Sequence, residues 1–129
     1  MNAFRSALTA GLLMLGAGSQ LALADAAKDT EMLKLASTSG CLTCHHIEPG
    51  KLPDGRAPVG PAWRDVAAKY KDNKDAQNQL TQIVMQGSNP YSSHWKGKVT
   101  GLAMPPNAVA ITEADASKLV GWILSLNTK

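Results

Sequence analysis

Cys41, Cys44 and His45 have the most chemistry to offer in this chain of 129 residues, and the two cysteines are its only ones. They stand in "CLTCHH", and two thiols three residues apart serve four kinds of chemistry. A disulfide is common in exported proteins, but so short a loop is tight for a structural bridge. A thioredoxin-like dithiol needs a strand-to-helix context, and no such context is readable around this segment. A structural zinc site needs four ligands, and the adjacent His45 and His46 do not readily converge on one ion with both cysteines. Covalent haem attachment needs Cys-x-x-Cys-His, which residues 41–45 supply. Residues at i and i+3 share one face of a helical turn. Cys41 and Cys44 can therefore add across the two vinyl groups of one porphyrin, with His45 beside the plane and within reach of the iron. His46 reads as a surface residue.

An iron held by one histidine has a sixth position to fill, and a thioether there favours the ferrous state and raises the potential. Beyond the first segment, Met32, Met85 and Met104 are available. Met32 and Met85 fall within helical apolar patterns, where methionine commonly fills gaps. Met104 lies in "GLAMPPNAV", where Pro105 and Pro106 stiffen the backbone and remove two amide donors. Asn107 is placed to donate a side-chain hydrogen bond back to the sulfur.

Four helical segments carry these residues. Apolar spacing predicts a first helix over about Ala26 to Ser37, ending near Cys41. A second follows in "GPAWRDVAAKY", with Pro61 at a first helical position and Trp63, Val66, Ala67 and Tyr70 along one face. A third runs from about Asp75 to Gln86, with Leu80, Ile83 and Val84 as its buried side and Gly87 as its stop. A fourth opens at Thr112, where Asp115 forms a variant capping box, and its stripe is Ala116, Leu119, Val120 and Ile123. Strand-like alternation is absent, so the expected fold is all-α with two long loops. Loops of that length inside a compact domain usually bind something or are disordered.

The opening segment has a different character. Arg5 precedes an apolar run from about Ala7 to Ala17, and Ala22-Leu23-Ala24 places small residues where a signal peptidase reads them. Residues 1–24 are expected to be a signal peptide cleaved after Ala24, leaving one domain over residues 25–129 in the periplasm. No later segment is apolar enough to insert stably in a membrane. The formal net charge is +3 and falls by one when Arg5 leaves, too mild to argue for nucleic acid. The single Phe, Phe4, also lies in the leader. A domain of this size is stable by a small margin, and a large apolar cofactor would complete its core.

"GCLTCH", "VGPAWRDVAAKY", "MPPNAV" and "LVGWILSL" follow one another in the order found in small bacterial class I c-type cytochromes, and the sequence resembles that family over nearly all of residues 25–129. The resemblance implies about four helices and long loops around one haem c, held covalently through Cys41 and Cys44. It implies His45 and Met104 as the axial ligands and a Pro61 carbonyl that accepts from the His45 ring. It implies a Trp95 bond to a haem propionate, with His94 or Lys96 as alternatives on the same loop. It also implies that the first and fourth helices cross, with Gly121 allowing close approach. The implied function is that of a periplasmic electron carrier rather than an enzyme, passing single electrons between redox protein partners as a monomer or in a transient complex. A dedicated subunit of a sulfite- or alcohol-oxidising oxidoreductase is the alternative, and a haem enzyme or gas sensor with an open sixth site is a third reading that "MPPN" opposes. The "IEPGKLPDGRAP" and "PYSSHWKGKVTG" loops look longer than in the smallest family members.

Overall fold

The computed structural model describes residues 17–126. Among them the elements are α1 (Ala17–Thr38), a 3₁₀ turn (Cys41–Thr43), α2 (Trp63–Tyr70), α3 (Ala76–Gln86) and α4 (Glu113–Ser125). No strand forms among the described residues; the nearest approach is a single bridge between Lys96 and Val99. The all-α expectation holds.

α4 is the hub. It packs against α1, α2 and α3, while α1 also meets the 3₁₀ turn. Its start follows the sequence: Thr112 Oγ1 accepts from the Asp115 N–H at 3.2 Å, and the same hydroxyl donates to Asp115 Oδ2 at 2.9 Å. A glutamate here would reach back to the cap's own N–H; the shorter aspartate stops at the hydroxyl. Lys118 beside it holds the Asp115 carboxyl below the usual range, with the Thr112 hydroxyl adding to the effect. At the far end the Arg64 guanidinium donates to the Leu126 carbonyl while its Nε bonds Glu48 at 2.8 Å. Helix C-termini leave carbonyls without intrahelical partners, and α2 supplies a donor for one of them.

The core is a sandwich of Met32 and Ala36 from α1, Trp63, Val66 and Ala67 from α2, and Ala116, Leu119, Trp122 and Ile123 from α4. Trp122 is 1% exposed, and its indole N–H donates to Asp29 Oδ1 of α1 at 2.8 Å. Trp63 meets Trp122 edge-on, ring centroids 5.6 Å apart and planes at 81°, a geometry favoured by the aromatic quadrupole.

Three expectations need correction. α1 begins at Ala17 rather than near Ala26, because the Ala- and Leu-rich stretch before Asp25 has high helix propensity. Residues 22–28 of that extension are all exposed. The leader's apolar run up to Gly16 lies outside the described residues. α2 begins at Trp63 with Ala62 as its N-cap, so Pro61 lies before the helix. Gly121 faces not α1 but α3, where an added Cβ would lie 3.1 Å from Gln77 Nε2; α1 and α4 do pack, clamped through Asp29 and Trp122.

The Trp122–Asp29 bond closes the two ends of the domain. Trp122→Phe should lower the unfolding free energy by about 1–3 kcal/mol through the lost bond to a partly buried acceptor. Chemical denaturation of the native protein checks this; an unchanged midpoint would contradict it.

Candidate functional site

A crevice of about 430 Å³ runs through the middle of the fold. Its floor is Trp63, Val66, Leu80, Ile83, Val84, Leu119, Val120 and Ile123, from α2, α3 and α4. Leu80, Ile83 and Val84 were expected to be buried, yet they are only half-buried. Their stripe lines the crevice, with Leu80 and Val84 also packed against the core, while Ala76 and Thr81 are the α3 residues that bury fully.

Cys41, Cys44 and His45 open onto one side of this crevice. Gly40, at φ 75°, ends the run from α1 in a left-handed conformation that suits glycine. The chain then makes one 3₁₀ turn, with the N–H groups of Cys44 and His45 both reaching the Cys41 carbonyl at 3.2 and 3.0 Å. A 3₁₀ turn has three residues per turn, so i and i+3 eclipse. The two thiols are thus presented on one side, and both are free. Burial pushes the Cys41 thiol above its ordinary value.

His45 is fixed on three sides. Its Nδ1–H donates to the Pro61 carbonyl at 2.8 Å. Its ring stacks on Trp63 with centroids 6.0 Å apart and planes 20° from parallel. Gly60 lies against it so closely that an added Cβ would stand 2.7 Å from Cε1 and 2.9 Å from Nδ1. The Gly60 N–H bonds the Cys44 carbonyl at 2.8 Å and holds that approach. Burial lowers the His45 pKa, the Pro61 carbonyl partly opposes this, and His46 adds to the lowering. The imidazole is therefore disposed to be neutral, with Nδ1 carrying the proton and Nε2 carrying a lone pair, the form that binds a metal.

Met104 lines the same crevice, and its backbone is pinned in both directions by Ser88. The Met104 N–H donates to Ser88 Oγ at 2.8 Å, and the Ser88 N–H donates to the Met104 carbonyl at 2.9 Å. Gly87, at φ 85°, makes the turn out of α3 that allows this; a Cβ there would lie 2.9 Å from the Met104 carbonyl. Asn107, expected beside the sulfur, bonds neighbouring carbonyls. Its Nδ2 donates to the carbonyls of Pro105, at 2.6 Å, and Val84, at 3.3 Å. The Asn107 backbone N–H also donates to the Val84 carbonyl, at 3.0 Å, so this residue ties the loop to α3.

The two long loops are joined to each other. Thr100 N–H and Gly101 N–H donate to the carbonyls of Pro58 and Val59 at 2.8 and 2.9 Å. A Cβ on Gly101 would lie 2.6 Å from the Val59 carbonyl. Trp95 lines the crevice, with Lys98 Nζ 5.7 Å from its ring centroid. His46, expected on the surface, is half-buried, and its Nε2 is enclosed without a hydrogen-bond partner. The Trp63 N–H on the His46 carbonyl, at 2.9 Å, draws this segment against α2. Sequence reading passed over Gly60 and Ser88; "VGPAW" and "GSNP" held the only signals, a glycine beside a motif and a hydroxyl after a helix stop.

The donor set fits a covalently held porphyrin. Two thiols share one side of a tight turn, a neutral imidazole is held by a carbonyl, and an apolar slot lies between that imidazole and a thioether. No group of three or more His, Cys, Asp or Glu suited to a metal ion alone occurs among the described residues.

Comparison with known proteins agrees. The family model described as Cytochrome c matches residues 33–127. Cytochrome c-551 of Allochromatium vinosum is 45% identical over 94 residues, covering 73% of this chain and 84% of that protein. Cytochrome c-551 of Pseudomonas aeruginosa is 37% identical over 114 residues, 88% of this chain and 92% of that protein. The crystal structure of wild-type Nitrosomonas europaea cytochrome c552 superposes with a TM-score of 0.56 at 38% identity, over 73% of this chain and 98% of that one.

Gly60 and Gly121 offer a contrast. Gly60→Ala must displace the His45 ring and should cost about 1–3 kcal/mol, as overpacking does. Gly121→Ala meets only the end of the Gln77 side chain and should change stability by less than about 1 kcal/mol. Denaturant midpoints of the two variants, measured side by side, decide this; equal losses would refute the contact argument.

Proposed function

This chain belongs to the cytochrome c family, as a small bacterial class I member carrying one covalent haem c through Cys41 and Cys44, and on that premise we propose that it is a periplasmic carrier of single electrons. The observation that carries the proposal is that His45, its ring fixed by Pro61 and Trp63, and Met104, its backbone pinned by Ser88, line one crevice. When bound, the haem supplies a one-electron couple between ferric and ferrous iron.

The protein's own residues set the terms of that couple. The Pro61 carbonyl fixes the tautomer of His45 and raises its basicity as a ligand. Met104, held by Ser88, offers a soft donor that favours the ferrous state. With both positions filled by residues anchored to the fold, little moves during electron transfer. The apolar floor keeps water away from the iron. Ser88, Trp63 and Gly60 act as positioning residues and touch no redox partner.

Export fits the fold. Residues 22–28 are exposed along α1, and Asp29 after them is clamped to the body through Trp122. Cleavage after Ala24 would leave the Asp29–Trp122 contact and the packed part of α1 in place. No helix among the described residues is long and apolar enough to cross a membrane.

Redox partners should dock where the thioether turn meets solvent. Leu42, between the two cysteines, is 40% exposed, and Val59 is 44% exposed. A small apolar patch of this kind suits brief encounters.

Two experiments test this reading. The full chain is expressed with a haem-attachment system and recovered from the periplasm. Its mass should equal residues 25–129 plus one haem, and the ferric spectrum should show the weak far-red sulfur-to-iron band. Met104→Ala should abolish that band; its persistence would remove Met104 from the iron. Leu42→Lys should slow electron transfer to a partner several-fold at unchanged potential. A potential shift without a rate change would place docking elsewhere.

A further inference from the structure

Each of the two long loops is folded on itself at its tip. In the first, the Leu52 N–H reaches the Arg56 carbonyl at 2.9 Å, and the Gly55 N–H reaches the Leu52 carbonyl at 2.8 Å. In the second, the N–H groups of Lys98 and Val99 both reach the Trp95 carbonyl, at 2.9 and 3.3 Å. Beyond these tips the loops bond each other. The Pro58 carbonyl accepts from the Thr100 N–H at 2.8 Å and from the Thr100 hydroxyl at 3.2 Å, and the Val59 carbonyl accepts from the Gly101 N–H at 2.9 Å. Pro58 and Gly60 are buried on either side of Val59.

The place of this junction in the chain connects it to the site. Val59 is followed at once by Gly60, which lies against the His45 ring, and by Pro61, whose carbonyl accepts from that ring. Gly101 stands three residues before Met104. Val59, Gly60, Pro61, Gly101 and Met104 all line the crevice. At this point the His45 wall and the Met104 wall are bonded to each other directly, rather than through the helical body. We propose that the junction sets the position of Met104 relative to His45, with Gly101 and Thr100 as its positioning residues. This role presupposes Met104 as the sixth ligand, as read above.

Gly101 is what permits the approach. A Cβ there would lie 2.6 Å from the Val59 carbonyl oxygen and 3.3 Å from Val59 Cγ1. The nearer obstacle is backbone, which cannot rotate aside as a side chain can. The same oxygen accepts the Gly101 N–H, so a larger residue must give up that bond or push the loops apart. Thr100 places a second donor on the Pro58 carbonyl and strengthens the same seam. Met104 is thus held from two directions, by Ser88 on the α3 side and by the junction on the side of the opposite loop. With the junction open, the thioether is free to retreat. A thioether favours the ferrous state, so its retreat lowers the potential.

The test compares three variants with the native protein by reduction potential, by the far-red band followed on heating, and by amide hydrogen exchange. Gly101→Ala opens the junction. Thr100→Val removes the hydroxyl bond and keeps the N–H. Gly97→Ala is the control: at φ 80° an alanine strains the same loop, but its Cβ meets nothing within 4 Å. Gly101→Ala should lower the potential, lose the far-red band at a lower temperature than the helices melt, and speed exchange of the Thr100 N–H several-fold. Thr100→Val should show the same changes in smaller measure, and it decides alone if Gly101→Ala does not fold. Gly97→Ala should lower the melting temperature while leaving the potential unchanged and the band melting with the helices. A native potential in the junction variants, or an equal shift in Gly97→Ala, overturns the proposal. A native protein without the band overturns the Met104 reading and this role with it, whereas a native band that the junction variants leave intact removes the junction's role alone.

Discussion

The orientation of one imidazole governs how this chain is built. His45 follows directly on the 3₁₀ turn that presents both thiols, so its backbone has little freedom left. The Pro61 carbonyl at 2.8 Å and the Trp63 face then fix the ring. Trp63 in turn leans on Trp122, which donates to Asp29. A single path of contacts thus joins the functional ring to the α4 hub and to α1. The absence of a side chain at position 60 is part of the same constraint, because only glycine lets the 58–61 segment come close enough for the Pro61 carbonyl to be in place.

The distribution of apolar residues follows from the crevice. α1, α2 and α4 pack into a small core around Trp63 and Trp122. α3 packs on α4 and also turns its apolar stripe toward the crevice, where a cofactor would cover it. This division explains how a domain with few aromatic residues, and no Phe beyond residue 4, sustains a four-helix fold. The porphyrin serves as the large aromatic group that the chain does not encode.

Much of this was legible in the sequence because the relevant chemistry is local. The spacing of Cys41, Cys44 and His45 needs only one turn of backbone. Thr112 with Asp115, and Gly87 after Gln86, mark helix ends within four residues. What could not be read depends on distant partners. Asp29 and Trp122 are 93 residues apart, and nothing in either neighbourhood announces the other. Ser88 looks like any polar residue after a helix stop until the loop returns Met104 to it. Asn107 reads from its proximity to Met104, and its bonds to the carbonyls of Pro105 and Val84 depend on how the loop meets α3. Gly121 was assigned to the wrong neighbour because a glycine in a helix shows that something approaches, not what.

The two walls of the crevice are tied to the body in different ways. The His45 wall is anchored through aromatic stacking to the most buried residues of the domain. The Met104 wall is held at its edges, by Ser88 at the end of α3, by Asn107, and by the bonds from Thr100 and Gly101 to the opposite loop. Bonds outside a packed core open at lower free energy than the core does. The molecule is therefore hierarchical in its lability: the methionine side can swing away while the histidine side, its thioether turn and the helical hub stay folded. Were Met104 bound to the iron, small exogenous ligands would compete for its place by that route, without global unfolding.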